Sequence, residues 1–128
     1  FIHNRNADED TIETLKQENY SKGVFHCFSG YVDYAKRVLD IGLQLSFTGI
    51  VTFKKAFDLH ETVKYVPLAR MLVETDSPYL APEPFRGKPN EPAYVKYVAG
   101  KIAELKKISF EEVATQTTIN AKQLFGIV

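Results

Sequence analysis

The sequence has few of the features that mark several large protein classes. It contains one cysteine, Cys27, and no tryptophan in 128 residues, so no internal disulfide forms. No apolar run approaches the roughly 18 residues that a membrane span needs, and no membrane partner is expected. Sixteen Lys and Arg residues balance sixteen Asp and Glu residues. This balance excludes a global basic field that attracts nucleic acid, so any such contact is local or made through metal ions.

The start of the chain bears on where the protein works and how much of it is present. The opening FIHNRNADED lacks the basic start and apolar stretch of a signal peptide. A lone cysteine also suits a reducing compartment, so we expect a cytoplasmic protein. The chain begins with Phe1 rather than methionine, on what reads as the end of a strand. We therefore expect this chain to be a piece of a longer protein.

Four short strand-like runs alternate with helical patterns along the chain. They are apolar and rich in β-branched or aromatic residues, as buried parallel strands are. The runs are Phe1–Ile2, GVFHCF (23–28), LQLSFTG (43–49) and MLVETD (71–76). Apolar residues with helical spacing fill the segments between them. This order predicts an α/β fold in which helices cover a parallel sheet.

Two helix starts are signalled by pairs of polar residues. Asn6 with Glu9, and Ser109 with Glu112, have the spacing of a capping box. The helical segment that Ser109 opens is expected to restart at Asn120.

Potential metal ligands stand at the ends of three of the four strands. His3 ends the first, His26 lies near the end of the second, and Asp76 ends the fourth. In parallel α/β folds the carboxyl ends of the strands meet at one edge, where ligands bind. Two imidazoles and a carboxylate are donors that Zn²⁺, Mn²⁺ or Fe²⁺ favours. A lone histidine at a strand end is more often a hydrogen-bonded core residue, so the pattern alone leaves both interpretations open.

Glu74 and Asp76 lie two residues apart and are expected to point to the same face of their strand. Two close carboxylates repel each other unless a cation or a shared proton relieves them. The alternative role for Glu74 is an ion pair with Arg5, Arg70 or a lysine.

Residues 77–92 hold five of the six prolines and form the one long irregular connection. A connection of this length is usually functional or disordered, and its stiff composition favours an ordered active-site loop. Arg86 suits bidentate contact with phosphate, and Lys88 adds charge, although a short charged loop is more often only solvated. Tyr79 and Phe85 are candidates to stack on a base, but packing the loop down is the commoner role.

Several long segments together resemble the TatD-like metal-dependent deoxyribonucleases. They are HCFSG (26–30), SFTGIVTFKKA (46–56), VETDSPYLAP (73–82), RGKPNEP (86–92) and TTINAKQLF (117–125). The opening IHNRNA is similar to that family's strand that ends in a ligand histidine followed by an arginine. The resemblance implies a (β/α)₈ TIM-type barrel of the metal-dependent hydrolase kind. It also implies hydrolysis of DNA phosphodiester bonds with one or two divalent ions, Mg²⁺, Mn²⁺ or Zn²⁺.

The resemblance also implies roles for individual residues. His3, His26 and Asp76 look like metal ligands, and Asp76 is also placed to orient or deprotonate the attacking water. Three basic residues are predicted to bind the substrate: Arg5, Arg86 and Lys88.

The sequence departs from the family pattern by lacking its N-terminal signatures. The family has an H-x-H pair on its first strand and a ligand glutamate on a middle strand, and neither is found here. Residues 1–128 therefore match a single partial domain, the last four βα units, with the N-terminal half absent. Open sheet edges are expected to pair with that half or with a second copy. The fragment alone is expected to be weak or inactive.

Two rival functions remain open at this point. The same ligand plan serves amidohydrolases and esterases that act on small molecules. The second rival hypothesis is that the chain is a non-catalytic half-barrel that self-associates through its strand edges.

Overall fold

The computed structural model describes residues 1–128 and shows a parallel sheet with helices around it. The strands are β1 (Val24–Phe25), β2 (Gln44–Phe47) and β3 (Met71–Val73) in the order β1-β2-β3. The helices are α1 (Asp8–Gln17), α2 (Val32–Ile41), α3 (Phe57–Tyr65), α4 (Val95–Lys106) and α5 (Phe110–Phe125). Short 3₁₀ turns cover Gly49–Thr52, Leu68–Arg70 and Pro92–Tyr94. The predicted parallel α/β arrangement is confirmed, and no helix is long and apolar enough to cross a membrane.

The strands are shorter than their apolar runs. The first run is reduced to a single bridge in which Ile2 pairs in parallel with Phe25. β1 ends before His26, which lies in a turn, and β3 ends at Val73, so Glu74 and Asp76 follow that strand without belonging to it. A strand persists only where a neighbouring strand meets its hydrogen bonds, and β3 has one such neighbour, β2.

The core lies between the sheet and the helices. Phe25, Leu45, Phe47 and Met71 from the strands are almost fully buried there. The apolar stripes of the helices pack against them, and together they form one cluster of 19 buried residues. Burial of apolar area is the main favourable contribution to the stability of this arrangement.

One of the two predicted capping boxes is present. Ser109 caps α5 and exchanges hydrogen bonds with Glu112, whose carboxylate accepts the Ser109 backbone N–H at 2.9 Å. These bonds lower the pKa of Glu112. The predicted box at Asn6 is wrong, because α1 begins after Ala7 and no side chain caps it directly. Instead, Oδ1 of Asn4 accepts the backbone N–H of Ala7, the residue just before α1, at 3.1 Å.

The predicted helix restart at Asn120 is wrong, because α5 runs unbroken through it. Asn120 is 2% exposed, and its Nδ2 donates to the carbonyl oxygens of Leu68 and Met71, each at 2.8 Å. Its Oδ1 accepts from Gln116 Nε2 at 2.8 Å. These hydrogen bonds connect α5 to the start of β3. Their stabilising contribution outweighs the usual preference of asparagine for helix ends.

Residues 77–92 form the ordered loop that their composition predicted. The loop lies on the turn after β2, where the backbone N–H of Glu83 donates to Thr52 Oγ1 at 2.8 Å. Gly49 makes this approach possible: a Cβ atom there would overlap the carbonyl oxygen of Leu80 and stand 2.9 Å from the nitrogen of Pro82. A glycine is thus required for the loop to reach the strand ends.

Candidate metal centre

Three side chains meet at the carboxyl ends of β1 and β3. His26 Nδ1 lies 2.5 Å from Glu74 Oε1, and His26 Nε2 lies 3.7 Å from Asp76 Oδ1. The three residues offer ligand atoms that all lie within 4.8 Å of one another. Their side chains are 25%, 18% and 35% exposed in that order, so solvent and a small ligand can reach them. This geometry brings together two of the predicted ligands, His26 and Asp76, with Glu74 beside them.

The backbone places these three side chains just beyond the ends of β1 and β3. His26 follows β1 directly, and its N–H donates to the carbonyl oxygen of Ile2 at 3.0 Å. Glu74 follows β3, and its N–H donates to Phe47 O at 3.0 Å. Asp76 has a φ of 58°, which takes the chain out of the extended conformation. Both carboxylates nevertheless reach one histidine, so they lie on the same side of the strand end, as their spacing predicted.

The predicted cationic partners of Glu74 are wrong. Its carboxylate lies instead against His26, with Oε1 2.5 Å from Nδ1. Arg70 instead donates through Nη2 to the carbonyl oxygens of Leu39 and Leu43, at 3.3 and 2.6 Å. The contact of Nδ1 with Glu74 favours the tautomer of His26 that carries its proton on Nδ1. In that tautomer Nε2 has a free lone pair, and Nε2 is the nitrogen nearer to Asp76.

The donor set fits a divalent cation. Zn²⁺ binds imidazole nitrogen at about 2.0–2.1 Å and carboxylate oxygen at about 2.0–2.2 Å, so two such ligands of one ion lie no more than about 4.3 Å apart. The 3.7 Å between His26 Nε2 and Asp76 Oδ1 falls within this limit. A carboxylate on the remote nitrogen of a ligand histidine is the usual support in metal sites, and Glu74 occupies that position. Sequence spacing identified both carboxylates, but not this division between them.

His3 lies near this group without belonging to it. Its ring centroid is 5.9 Å from that of His26, with the ring planes tilted by 33°. The residue is exposed, and its nitrogens are not among the ligand atoms that lie within 4.8 Å of one another. Its role as a ligand therefore stays a prediction.

A family model described as "TatD related DNase" matches residues 1–126. The chain belongs to this family. It is 53% identical to a Bacillus subtilis protein named uncharacterized metal-dependent hydrolase YabD, over 99% of this chain and 51% of that protein. It is 49% identical to the Escherichia coli K12 protein named uncharacterized metal-dependent hydrolase YcfH, over 99% of this chain and 49% of that protein. The chain thus spans about half the length of these curated relatives.

A solved structure shows the same architecture. The crystal structure of YJJV, a TatD homolog from Escherichia coli K12, matches with a TM-score of 0.91 at 29% identity. The match covers 98% of this chain and 49% of that chain. The predicted fold class, half of a TIM-type barrel of the metal-dependent hydrolase kind, is confirmed.

A cavity of about 300 Å³ adjoins the metal group of this TatD family member. It lies between the start of the chain and the turn after β1, and Arg5, His26 and Ser29 are among its lining residues. Cys27 also lines it, and burial raises the pKa of its thiol. A neutral thiol is a poor nucleophile at neutral pH, so Cys27 only lines the cavity.

The other two predicted substrate-binding residues lie on the loop 77–92. Arg86 is exposed, and its guanidinium stacks over the ring of Phe53 with Cζ 4.0 Å from the ring centroid. Lys88 is exposed as well. Stacking holds the arginine in place while its N–H groups remain available to a ligand. Contact of Arg5, Arg86 and Lys88 with a substrate stays a prediction.

The third histidine, His60, is not part of the group of His26, Glu74 and Asp76. It is partly buried, and its Nε2 lies 2.8 Å from the carbonyl oxygen of Val51. The ring therefore connects α3 to the turn after β2.

Proposed function

We propose that this chain is the C-terminal half of a (β/α)₈ enzyme that hydrolyses phosphodiester bonds in DNA with one or two divalent metal ions. The observation that carries the proposal is the meeting of His26, Glu74 and Asp76 at the carboxyl ends of the strands. Membership of the family described as "TatD related DNase" supports DNA as the substrate. The curated relatives are named metal-dependent hydrolases, which supports the reaction class.

The residues of the site divide the chemical work. Bound Mg²⁺, Mn²⁺ or Zn²⁺ would supply a water of lowered pKa and would neutralise charge on the phosphate. His26 Nε2 and Asp76, with His3 as a further predicted ligand, would hold the ion. Glu74, whose Oε1 lies 2.5 Å from Nδ1 of His26, would accept the proton of that nitrogen and keep the ring oriented. The second carboxylate oxygen of Asp76 is available to orient the attacking water and to take its proton.

Basic side chains around the group of His26, Glu74 and Asp76 would neutralise the negative charge of the substrate phosphates. Arg5 lines the cavity beside His26, and Arg86 is held over Phe53. With Lys88 they would contact phosphate oxygens of the DNA. Because the chain carries no net charge, these local contacts and the metal ions would supply the attraction.

The proposal includes the remainder of the barrel. An N-terminal half would pair with the edges of the sheet at Ile2 and β3 and would supply further ligands, so the 128-residue chain alone would turn over weakly or not at all. Pairing of these edges with a second copy is the competing arrangement. A reducing, cytoplasmic location is consistent with the single cysteine.

The test uses the full-length protein that carries this segment. Single-stranded and duplex DNA are incubated with Mg²⁺, Mn²⁺ or Zn²⁺, with chelator as the control, beside amide and lactone substrates. We expect metal-dependent cleavage of DNA that Asp76→Asn lowers at least about 100-fold, because both the ligand charge and the proton acceptor are lost. Wild-type activity in Asp76→Asn removes this residue from the mechanism. Hydrolysis of an amide or lactone without cleavage of DNA would replace the nuclease with a small-molecule hydrolase.

A further inference from the structure

Tyr79 differs from the other aromatic residue of the loop 77–92 because its ring is not packed. Phe85 stacks on Tyr94 with ring centroids 4.3 Å apart and meets Tyr97 edge-on at 5.4 Å. Tyr79 is 70% exposed. The sequence left both residues as candidates to stack on a base, whereas the structure gives Phe85 a packing role and leaves the face of Tyr79 accessible.

The backbone holds Tyr79 beside the metal group. Its N–H donates to the carbonyl oxygen of Asp76 at 2.9 Å, which closes a turn over residues 76–79. The first and fourth Cα atoms of such a turn lie within about 7 Å of each other. Asp76 in turn lies 3.7 Å from His26 through its carboxylate. The ring of Tyr79 is therefore attached next to the residue that is proposed to act on the phosphate.

The buried amide of Asn90 fixes the position of this turn. Asn90 is 6% exposed, and its Nδ2 donates to the carbonyl oxygens of Thr75 and Tyr79, each at 2.8 Å. Its Oδ1 accepts the N–H of Glu91 at 2.9 Å. Every polar atom of the amide is thus used to anchor the backbone. An aromatic ring with few rotatable bonds on an anchored backbone loses little conformational entropy when a ligand covers it.

We propose that Tyr79 is a stacking platform for an unpaired nucleobase, which it holds beside the phosphate at the metal centre. The inference rests on the proposed function and specifies its substrate as single-stranded DNA or a frayed DNA end. Every base has a π-face, so stacking on an aromatic ring tolerates any sequence. Stacking also requires no net positive charge, which suits a chain whose charges balance.

The experiment compares wild type, Tyr79→Ala and Tyr79→Phe in the full-length protein. The substrates are single-stranded oligonucleotides in which one abasic nucleotide is placed at each position near the cleaved bond in turn. On the intact oligonucleotide we expect Tyr79→Ala to lower kcat/KM about 5- to 150-fold and Tyr79→Phe to match wild type. At one abasic position the wild-type protein and Tyr79→Ala should become equal, because the ring has lost its partner. Metal affinity by calorimetry and Tm should be the same in all three proteins.

Other outcomes overturn the inference. A Tyr79→Ala protein as active as wild type, or one equally impaired at every abasic position, shows that no base stacks on the ring. A lowered Tm with the same loss on all oligonucleotides shows that Tyr79 packs against another part of the protein. If wild type cleaves no DNA, the proposed function fails. Binding of the same oligonucleotides, followed by fluorescence anisotropy, then decides the inference separately, and equal affinity in wild type and Tyr79→Ala rejects it.

Discussion

Glu74 contacts His26 of the proposed metal centre, so its removal should weaken metal binding without removing a ligand. Its carboxylate lies 2.5 Å from Nδ1 of His26 and is 18% exposed, so water replaces it poorly. Loss of such a support typically costs about 10- to 100-fold in metal affinity, which we expect for Glu74→Ala. Glutamine keeps an acceptor but loses the charge. The difference between a charged and a neutral hydrogen bond is about 1 kcal/mol, so Glu74→Gln should lose only about 5-fold.

The assay is calorimetric titration of the full-length protein with Mn²⁺ or Zn²⁺ at one fixed pH, since ligand protonation competes with the metal. Glu91→Gln serves as the matched control, because it removes an exposed carboxylate from the neighbouring loop. Metal affinity should decrease in the order wild type, Glu74→Gln, Glu74→Ala, and this graded order distinguishes a supporting residue from a ligand. If Glu74→Gln loses as much metal affinity as Glu74→Ala, Glu74 is itself a ligand. If Glu74→Ala binds metal within about twofold of wild type, the reasoning from the His26 contact is refuted.

Three further predictions concern the framework around the site. Asn120→Ala should lower the free energy of unfolding by about 2–4 kcal/mol in denaturant titrations. The carbonyl oxygens of Leu68 and Met71 each lose the hydrogen bond from the Asn120 amide. Gly49→Ala should displace the loop 77–92, because the new Cβ overlaps the carbonyl oxygen of Leu80, and hydrogen exchange at the Glu83 amide should accelerate. Glu112→Gln should flatten the acid limb of the stability–pH curve. The folded-state pKa of Glu112 is lowered, so its contribution is full above pH 4.5 and is lost as the pH falls through the folded value.

Each of these predictions has a control variant, two of them on the same helix as the residue tested. Thr118→Ala changes an exposed position of α5 and should stay within about 0.5 kcal/mol of wild type. Gly100→Ala meets no atom within 4 Å and should stabilise α4 by about 0.5–1 kcal/mol. Glu111→Gln removes an acid from the same helix turn outside the capping box. A variant that behaves like its control contradicts the contact from which it was predicted.

The prediction at Asn120 failed because a distant part of the backbone decided the outcome, and the one at Asn6 failed because of local backbone conformation. Asn120 reads as a helix boundary because asparagine competes for backbone hydrogen bonds. It lies instead within α5, since the carbonyl oxygens of Leu68 and Met71 accept its amide. Asn6 has the spacing of a cap but a φ of 55°, and α1 begins after Ala7, whose backbone N–H donates to the side chain of Asn4. Sequence spacing carries no information on which carbonyl oxygens a fold leaves unpaired.

The sequence by itself determined the alternation of apolar runs and helical stripes, the parallel sheet, and the presence of His26 and Asp76 at strand ends. These follow from periodicity and residue type, which act over a few residues. Only the tertiary structure decided that Glu74 pairs with His26 rather than with a cation, and that Phe85 packs while Tyr79 stays exposed. Such choices depend on distances between segments far apart in the chain, and these are set when the core packs.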